Sequence, residues 1–484
     1  MKKIIFSVAI LSLFMTGCVN DEADFNDNKD KPYDVPSQTL LTNAEKALAD
    51  QMTTPSVNSG PFRYLSQTWA ATQYTDESRY FFITRKVSDV HWRVLYASVI
   101  GNLQSTKDAI AKEVKPSSQS QADFDRIQKN KTAIADILQL YTFQVLVDTF
   151  GNIPYSEAVT TGIVLPKYDD AATVYSSLIT KLDATIASID ASTSSFSAGD
   201  VIYSGNMAKW KLFANSLKVK IGINLVDANP ALAKSTIESA YTAGVITTNA
   251  NNASFKYTTA APNYSTLYAN LVASGRNDFV PTSNIIDAMN TLADPRRDAY
   301  FTLYNGVYKG GVYGTANAYA NFSHISAKIA AADFPALLFE ATEVNFYLAE
   351  AAARGLSVGG TVETYYNNAI RASFENWGVA GVDAYLLTPG VAYATAPGTF
   401  KEKIGRQAWI GLFNRGFESW TTYRRLDYPV LVAPATASAA AEGVVPKRLT
   451  YPINEQTVNN ANWTAASTAI GGDKLANKIF WDKL

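Results

Sequence analysis

Apolar residues recur at three- and four-residue steps along most of the chain beyond Leu40, a spacing that predicts amphipathic helices. In the segment 121–149 the residues on this apolar face are Ile134, Ile137, Leu138, Tyr141 and Val145. Gly151 and Pro154 should end that helix, because glycine accepts a left-handed cap and proline cannot continue it. The same reasoning predicts helices at 87–113, 171–190, 207–227, 335–354 and 361–377, a short one at about 283–291, and one beginning near Lys401. The fold class is therefore predicted to be mainly α, with sequential helices paired antiparallel.

The pair 335–354 and 361–377 carries small residues where its two helices would meet. It resembles a tetratricopeptide-type hairpin in Leu348-Ala349-Glu350-Ala351, Gly355, Tyr365, Tyr366, Ala369 and Ile370. Several successive hairpins favour a stack over an isolated bundle. We therefore expect tetratricopeptide-like hairpins stacked into a superhelical scaffold.

The helical spacing is lost at about 255–325 and again at 378–398. In the first of these stretches tyrosines stand among Asn, Gly, Thr and Ser. Long irregular segments are usually functional or disordered, and the large aromatic surfaces argue against disorder. We expect a large loop-rich portion that binds a ligand. Near the C-terminus the pattern predicts one short strand, 448–453, and otherwise extended chain lying over the helices.

The N-terminus is typical of an exported lipoprotein. Lys2 and Lys3 precede an apolar run from Ile4 to Phe14, and small residues then lead to Cys18, the only cysteine in the chain. The run is shorter than the roughly 20 apolar residues that span a bilayer, so residues 1–17 are predicted to be a cleaved signal peptide. The stretch resembles a bacterial lipobox, which implies that Cys18 is acylated and holds the protein at a membrane. An ordinary signal peptide with an incidental cysteine is the alternative.

Residues 18–36 are acidic and poor in apolar side chains, which predicts a flexible lipidated tether before a single helical domain at 37–484. The acidic patch after Cys18 also resembles the surface-export signal of Bacteroidetes lipoproteins. Simple solvation explains the acidity equally well. We expect a protein anchored at the outer membrane and facing the cell exterior.

Composition narrows the range of functions. With 47% hydrophobic and 18% charged residues the chain can bury a substantial core, and a formal net charge of −1 argues against nucleic acid as a partner. The two histidines, His91 and His324, stand in structural contexts, and the common nucleophile, zinc and phosphate-binding motifs do not occur in the sequence. We predict no cofactor, no metal and no catalysis.

A glycoside hydrolase is the alternative from another class, because two carboxylates about 5–9 Å apart would suffice and acids such as Glu340, Glu343 and Glu350 are numerous.

Three segments, together with the lipobox, resemble the SusD/RagB family of nutrient-binding lipoproteins, in particular its SusD-like second subfamily. They are QVLVDTFGNIPYSEA at 144–158, GRQAWIGLFNRGFESWTTYRRLDYP at 405–429, and VPKRLTYPINEQTVNN at 445–460 with the Phe480-Trp481-Asp482 ending. The resemblance extends over essentially the whole chain after the signal peptide.

This resemblance implies a helical protein that sits over a TonB-dependent outer-membrane barrel of the SusC type. It would capture a glycan, or in some members a peptide, and deliver it to the barrel. The motif residues Glu418, Trp420, Arg424 and Arg425 are expected to be mostly scaffold, with internal ion pairs and helix-end hydrogen bonds.

Glycan capture needs aromatic rings for sugar faces and Asp, Asn and Arg side chains for hydroxyl groups. The predicted ligand-binding residues are Trp69, Tyr74, Asp76, Arg79, Tyr264, Tyr268, Arg276, Asn277, Asp278, Tyr313 and Asn317. The alternative is that these rings fill the core beneath the loops or contact the barrel.

Overall fold

The predicted helical spacing is realised as antiparallel helices in a computed structural model that describes residues 35–483. The signal peptide, Cys18 and the tether up to residue 34 lie outside the described residues. The longer helices are α1 (Ser37–Thr53), α2 (the consecutive segments Val87–Arg93, Val94–Ile100 and Gly101–Ala111), α3 (Gln121–Phe150), α4 (Ala171–Ser188), α5 (Met207–Leu225), α6 (Pro230–Ala243), α7 (Ser283–Thr291), α8 (Ala341–Ala353), α9 (Val362–Trp377), α10 (Phe400–Gly411), α11 (Gly416–Leu426) and α12 (Asn460–Ala469).

Strands and short helical turns occupy little of the described chain. The strands are β1 (Trp69–Ala71), β2 (Ala253–Phe255), β3 (Phe279–Pro281) and β4 (Ala336–Phe339). The short turns are Phe62–Leu65, Glu77–Arg79, Asn249–Asn251, Thr266–Tyr268, Ala269–Ala273, Arg297–Tyr300, Tyr319–Asn321, Val382–Leu386, Ala439–Ala441 and Ile453–Val458. The prediction of a mainly α fold is confirmed.

Sequential helices pack against one another through most of the unit Ser37–Leu484. Contacts run from α1 to α2 and on through α3, α4, α5 and α6, after which α8 packs on both α5 and α9. The α8–α9 hairpin is the pair with the tetratricopeptide-like residues. The expected tetratricopeptide-like scaffold is confirmed.

Helix α3 lies at the centre of this scaffold. It begins at Ser120, whose hydroxyl accepts from the backbone N–H of Asp123, and ends at Gly151, where φ is +84°. Its second half is buried on every side, from Ile137 to Phe150. A helix that is buried all round is surrounded by other elements, so α3 is the core around which the hairpins assemble.

Three sequence predictions are wrong in detail. Residues 336–339 form a strand instead of the start of a helix, because β4 pairs antiparallel with β2 and α8 begins only at Ala341. The predicted strand at 448–453 is extended chain bonded to the end of α3, where Leu449 N–H donates to the Thr149 carbonyl. The segment after it is also not simply extended, since it forms the turn Ile453–Val458 and helix α12.

The C-terminal segment is tied into the centre of the molecule. The Trp481 indole donates to the buried Asp148 carboxylate of α3 at 2.8 Å, and the Arg448 guanidinium donates to the Phe150 carbonyl at 3.0 Å. Among residues 35–483, no helix combines the length and apolar character needed to cross a bilayer.

Candidate functional site

A small sheet brings together two groups of predicted ligand-binding residues that are distant in sequence. Strands β1 and β3 pair antiparallel with Ala71 opposite Phe279. The chain leaving β1 therefore runs beside the chain entering β3, and Thr72 N–H donates to the Asp278 carbonyl at 2.9 Å. The Thr72 hydroxyl also donates to the Asn277 carbonyl. The loop after β1 and the loop before β3 thus form one surface.

The exposed centre of that surface is Tyr74, with 40% of its area accessible. The guanidinium carbon of Arg276 lies 5.0 Å from its ring centroid and that of Arg85 lies 5.2 Å away. Arg276 is oriented by Asp278, whose carboxylate oxygen lies 2.8 Å from Nε. We call Tyr74, Arg85, Arg276, Asn277 and Asp278 the Tyr74 surface.

The Tyr74 surface offers the groups that a sugar requires. A tyrosine ring can pack against the apolar face of a pyranose, and guanidinium and carboxylate groups form paired hydrogen bonds with neighbouring hydroxyls. Half of the Arg276 side chain (49%) is exposed, so it can move from the ring face when a ligand arrives.

Four of the predicted residues support the loops from below. Trp69 is 1% exposed and lies in β1 against Phe279 and the Arg63 guanidinium. The Asn317 amide is buried and donates to the carbonyls of Ala71, Val312 and Thr315.

The other two supporting residues are Tyr313 and Arg79. The Tyr313 hydroxyl donates to the Tyr64 carbonyl at 2.7 Å, and Arg79 Nε donates to the Gly314 carbonyl at 2.8 Å. Trp69 and Asn317 are buried beneath the loops, whereas Tyr313 and Arg79 are half-buried and support the loops through these hydrogen bonds.

The remaining predicted residues have no described side-chain contact to Tyr74. Tyr264 and Tyr268 are partly exposed and pack edge to face with centroids 5.2 Å apart. Asp76 is partly exposed at the turn Glu77–Arg79, where its carbonyl accepts from the Phe81 N–H. The two tyrosines form a second aromatic pair on the chain that leads through Ala269–Ala273 to Arg276.

Sequence reasoning missed Arg85 and its partner Glu77. Glu77 is buried, and its carboxylate pairs with Arg85 Nε, which fixes the guanidinium that faces Tyr74. Burial raises the pKa of the Glu77 carboxyl to about 7 despite this cation. The sequence marked Glu77 and Arg85 only by their closeness to Tyr74 along the chain. Phe81 and Ile83 of that stretch are exposed as well.

The acids considered for hydrolysis are engaged inside the scaffold. Glu343 and Glu340 face Arg415, and Glu350 pairs with Arg425 at 2.9 Å and Arg354 at 3.1 Å. His91 is buried, and burial lowers the pKa of its imidazole to about 3. Its Nδ1 accepts from the Gln51 amide at 2.8 Å. Within residues 35–483, no three His, Cys, Asp or Glu side chains are grouped as a metal site would require.

A sequence model of the SusD-like family, described as starch-binding proteins that associate with the outer membrane, matches residues 29–452. The chain belongs to this SusD-like family. No curated protein matches the sequence.

Solved structures agree with this membership. A chitin-binding protein is 25% identical with a TM-score of 0.79, over 93% of this chain and all (100%) of its own. A SusD homologue from Bacteroides uniformis is 27% identical with a TM-score of 0.75, over 92% of this chain and 99% of its own. A further homologue, from Bacteroides thetaiotaomicron, is 25% identical with a TM-score of 0.76, over 93% of this chain and 100% of its own.

The SusD-like family consists of non-catalytic binding proteins, and the description of its sequence model names starch binding. The family description also associates it with the outer membrane. The family motif at 405–429 is scaffold in this SusD-like protein. Glu418 pairs with Lys220 at 2.6 Å, and the Arg424 guanidinium donates to the carbonyls of Asp148 and Lys447.

Proposed function

We propose that this SusD-like protein captures an oligosaccharide at the Tyr74 surface and passes it to a TonB-dependent outer-membrane barrel of the SusC type. The observation that carries the proposal is the exposed Tyr74 ring with two guanidiniums near it, one of them oriented by Asp278. Aromatic faces and paired hydrogen-bond donors are the elements of sugar recognition. Tyr264 and Tyr268 would extend the surface toward further sugar units.

An N-acetylated glycan of the chitin type is the first candidate ligand. It is supported by the likeness to the chitin-binding protein, which is 25% identical over 93% of this chain. A short peptide is the second candidate, because the aspartate and arginines of the Tyr74 surface could also pair with peptide termini.

The proposed site can be tested by calorimetric titration with chitin, starch and peptide oligomers. We expect Tyr74→Ala to weaken binding of the best oligomer by about tenfold or more, as for a central aromatic anchor. Tyr393→Ala is a matched control, because Tyr393 also faces a cation, Lys403 at 4.9 Å, but has Tyr366 as its aromatic neighbour.

Equal loss of affinity in the two variants, or none in either, would remove the Tyr74 surface as the site. Trp69→Ala is less informative, since Trp69 is buried and its removal tests folding together with binding. Peptide binding without glycan binding would change the ligand class and leave the surface assignment intact.

The anchoring and delivery steps are part of the same proposal. Acylation of Cys18 would hold the protein at the outer membrane, and residues 18–36 would tether the domain on the cell exterior as a mobile lid over the barrel. Gentle solubilisation and crosslinking should recover a large β-barrel with the protein. Repeated absence of such a barrel would count against the delivery step.

A further inference from the structure

A partly open cavity of about 160 Å³ is lined in part by β4 and by residues separate from the Tyr74 surface. It is bounded by the C-terminal ends of α1 and α9, by β4, and by the junction of α10 with α11. Its apolar walls come from Met52, Phe334, Pro335, Leu337, Trp377 and Phe417. Lys328 and Pro335 are exposed, so they lie at its opening. An apolar cavity of roughly 150 Å³ in another protein admits benzene, so this one has room for a ring of that size.

Buried charged side chains form one wall of the cavity. Glu340, Glu418 and Arg415 line it, and each is 9% exposed or less. Behind them lie Glu343 and Lys220, both fully buried. These five buried groups are three carboxylates and two cations, which leaves an excess of one negative charge among the buried groups when all are ionised. Lys328, at the opening, is a third cation that lines the cavity.

The ion pairs in this cluster differ in length, so the three carboxylates are not equally neutralised. Arg415 contacts Glu343 directly and lies 3.3 Å from Glu418, while Lys220 lies 2.6 Å from Glu418. Among the described residues, the one cation within 4.0 Å of Glu340 is Arg415, at 3.6 Å, which is longer than a hydrogen bond. Glu340 is therefore the least neutralised carboxylate, although it is only 3% exposed.

We propose that this cavity binds a small organic ammonium ion, with the charge beside Glu340 and the apolar body against Trp377, Phe334 and Phe417. A buried carboxylate without a close partner is costly, and a cation that enters the cavity removes that cost. Lys328 does not oppose this, because its ammonium donates to the Trp377 carbonyl at the solvated opening, where water screens its charge. The site lies outside the proposed glycan surface and does not depend on it.

The protonation of Glu340 should compete with the ligand. Burial raises the pKa of the Glu340 carboxyl to about 7 and that of Glu418 to about 6, against the opposing effect of Arg415. Below this range a proton neutralises the excess charge, and above it the carboxylate is free to bind a cation. Affinity for an ammonium should therefore rise as the pH increases through about 7.

The test is calorimetric titration of the full mature protein with piperidinium, whose ring is about the size of benzene. Tetrahydropyran, a neutral ring of the same size, is the matched probe. We expect piperidinium to bind at pH 8 at least about tenfold more tightly than tetrahydropyran, as for a hydrogen bond to a charged group. Binding at pH 8 should also be tighter than at pH 6.

Glu340→Gln keeps the shape of the side chain and removes its charge, so it should weaken piperidinium binding by about tenfold and leave only the smaller pH dependence contributed by Glu418. Glu363→Gln is the matched control, because Glu363 is exposed on α9 roughly 20 Å along the helix from Asn376 at the cavity. Unfolding curves should show that both variants fold. Equal affinity for the two probes, or undiminished piperidinium binding in folded Glu340→Gln, would overturn the proposal and identify a cavity filled by water alone.

Discussion

At the scale of single residues, the contacts of Arg424 explain why the family motif at 405–429 is scaffold. Its guanidinium is fully buried, 3.5 Å from the centroid of the Trp420 ring and 5.0 Å from that of Trp481. It donates to the Asp148 carbonyl at 2.7 Å and the Lys447 carbonyl at 2.9 Å, which joins α3, α11 and the C-terminal segment. Burial lowers the pKa of this arginine to about 10.

We expect Arg424→Met to reduce the free energy of unfolding by about 3–5 kcal/mol, because it leaves two buried carbonyls without donors and the nearby Asp148 carboxylate without its cation. Urea unfolding followed by circular dichroism provides the measurement. Arg371→Met serves as the control, since Arg371 and its partner Asp383 are 46% and 82% exposed and such pairs contribute about 0–1 kcal/mol. Comparable loss in both variants would show that the buried position of Arg424 is not what matters.

At the scale of elements, α5 and α6 pack so closely that a glycine is required. A Cβ built on Gly222 of α5 would lie 2.6 Å from Cγ1 of Ile237 in α6. Helix propensity favours alanine over glycine by about 1 kcal/mol, but a contact this short forces the helices apart or the side chain off its rotamer. Packing should therefore outweigh propensity at this position.

We expect Gly222→Ala to destabilise the protein by about 1–3 kcal/mol in urea unfolding. Ile237→Ala alone should cost about 2–5 kcal/mol because Ile237 is fully buried, but in the Gly222→Ala background its cost should be smaller, because it removes the atom that would clash. The double variant would then be more stable than the sum of the single effects predicts, which is a coupling energy between neighbours. Strict additivity of the two changes would contradict close packing at this crossing.

The register of the small sheet shows how elements build the proposed site. Trp69 faces Pro281 and Ala71 faces Phe279, so the loops that follow and precede these strands must meet. Nothing in the local sequence around Tyr74 encodes the presence of Arg276. The pairing of β1 with β3 across about two hundred residues decides it, and this contact is visible only in three dimensions.

At the scale of the whole molecule, binding and anchoring should be separable. Residues 37–484 form one unit that contains the Tyr74 surface, whereas the proposed lipid attachment is at Cys18. We expect Cys18→Ala to leave ligand affinity in solution within about twofold of the wild type, because the residues of the Tyr74 surface all belong to the unit 37–484.

Uptake of the ligand by cells should be lost in the same variant if the anchor holds the protein on its transporter. Uptake of labelled oligomer and immunoblotting of membrane fractions supply the measurement. Normal uptake by a Cys18→Ala protein that is released from the membrane would show that contact with the barrel suffices.

The sequence by itself determined the helical character, the order of most helices and the family. Apolar spacing, helix stops such as Gly151, and short motifs are local signals that survive any tertiary arrangement. Local signals failed at 336–339 and 448–453, because a strand needs a partner and short apolar runs suit helix, strand or extended chain equally.

Only the tertiary structure decided which predicted ligand-binding residues are exposed. Composition placed Trp69, Tyr74, Tyr313 and Asn317 in the same class, yet Tyr74 is exposed and Trp69 and Asn317 are buried. Exposure depends on which distant segment covers a side chain, as Phe279 covers Trp69. The excess charge in the cavity arises in the same way, from glutamates of α8 and α11 that meet one arginine. Spacing along the chain encodes elements, whereas contacts between distant segments create the surfaces and cavities that bind.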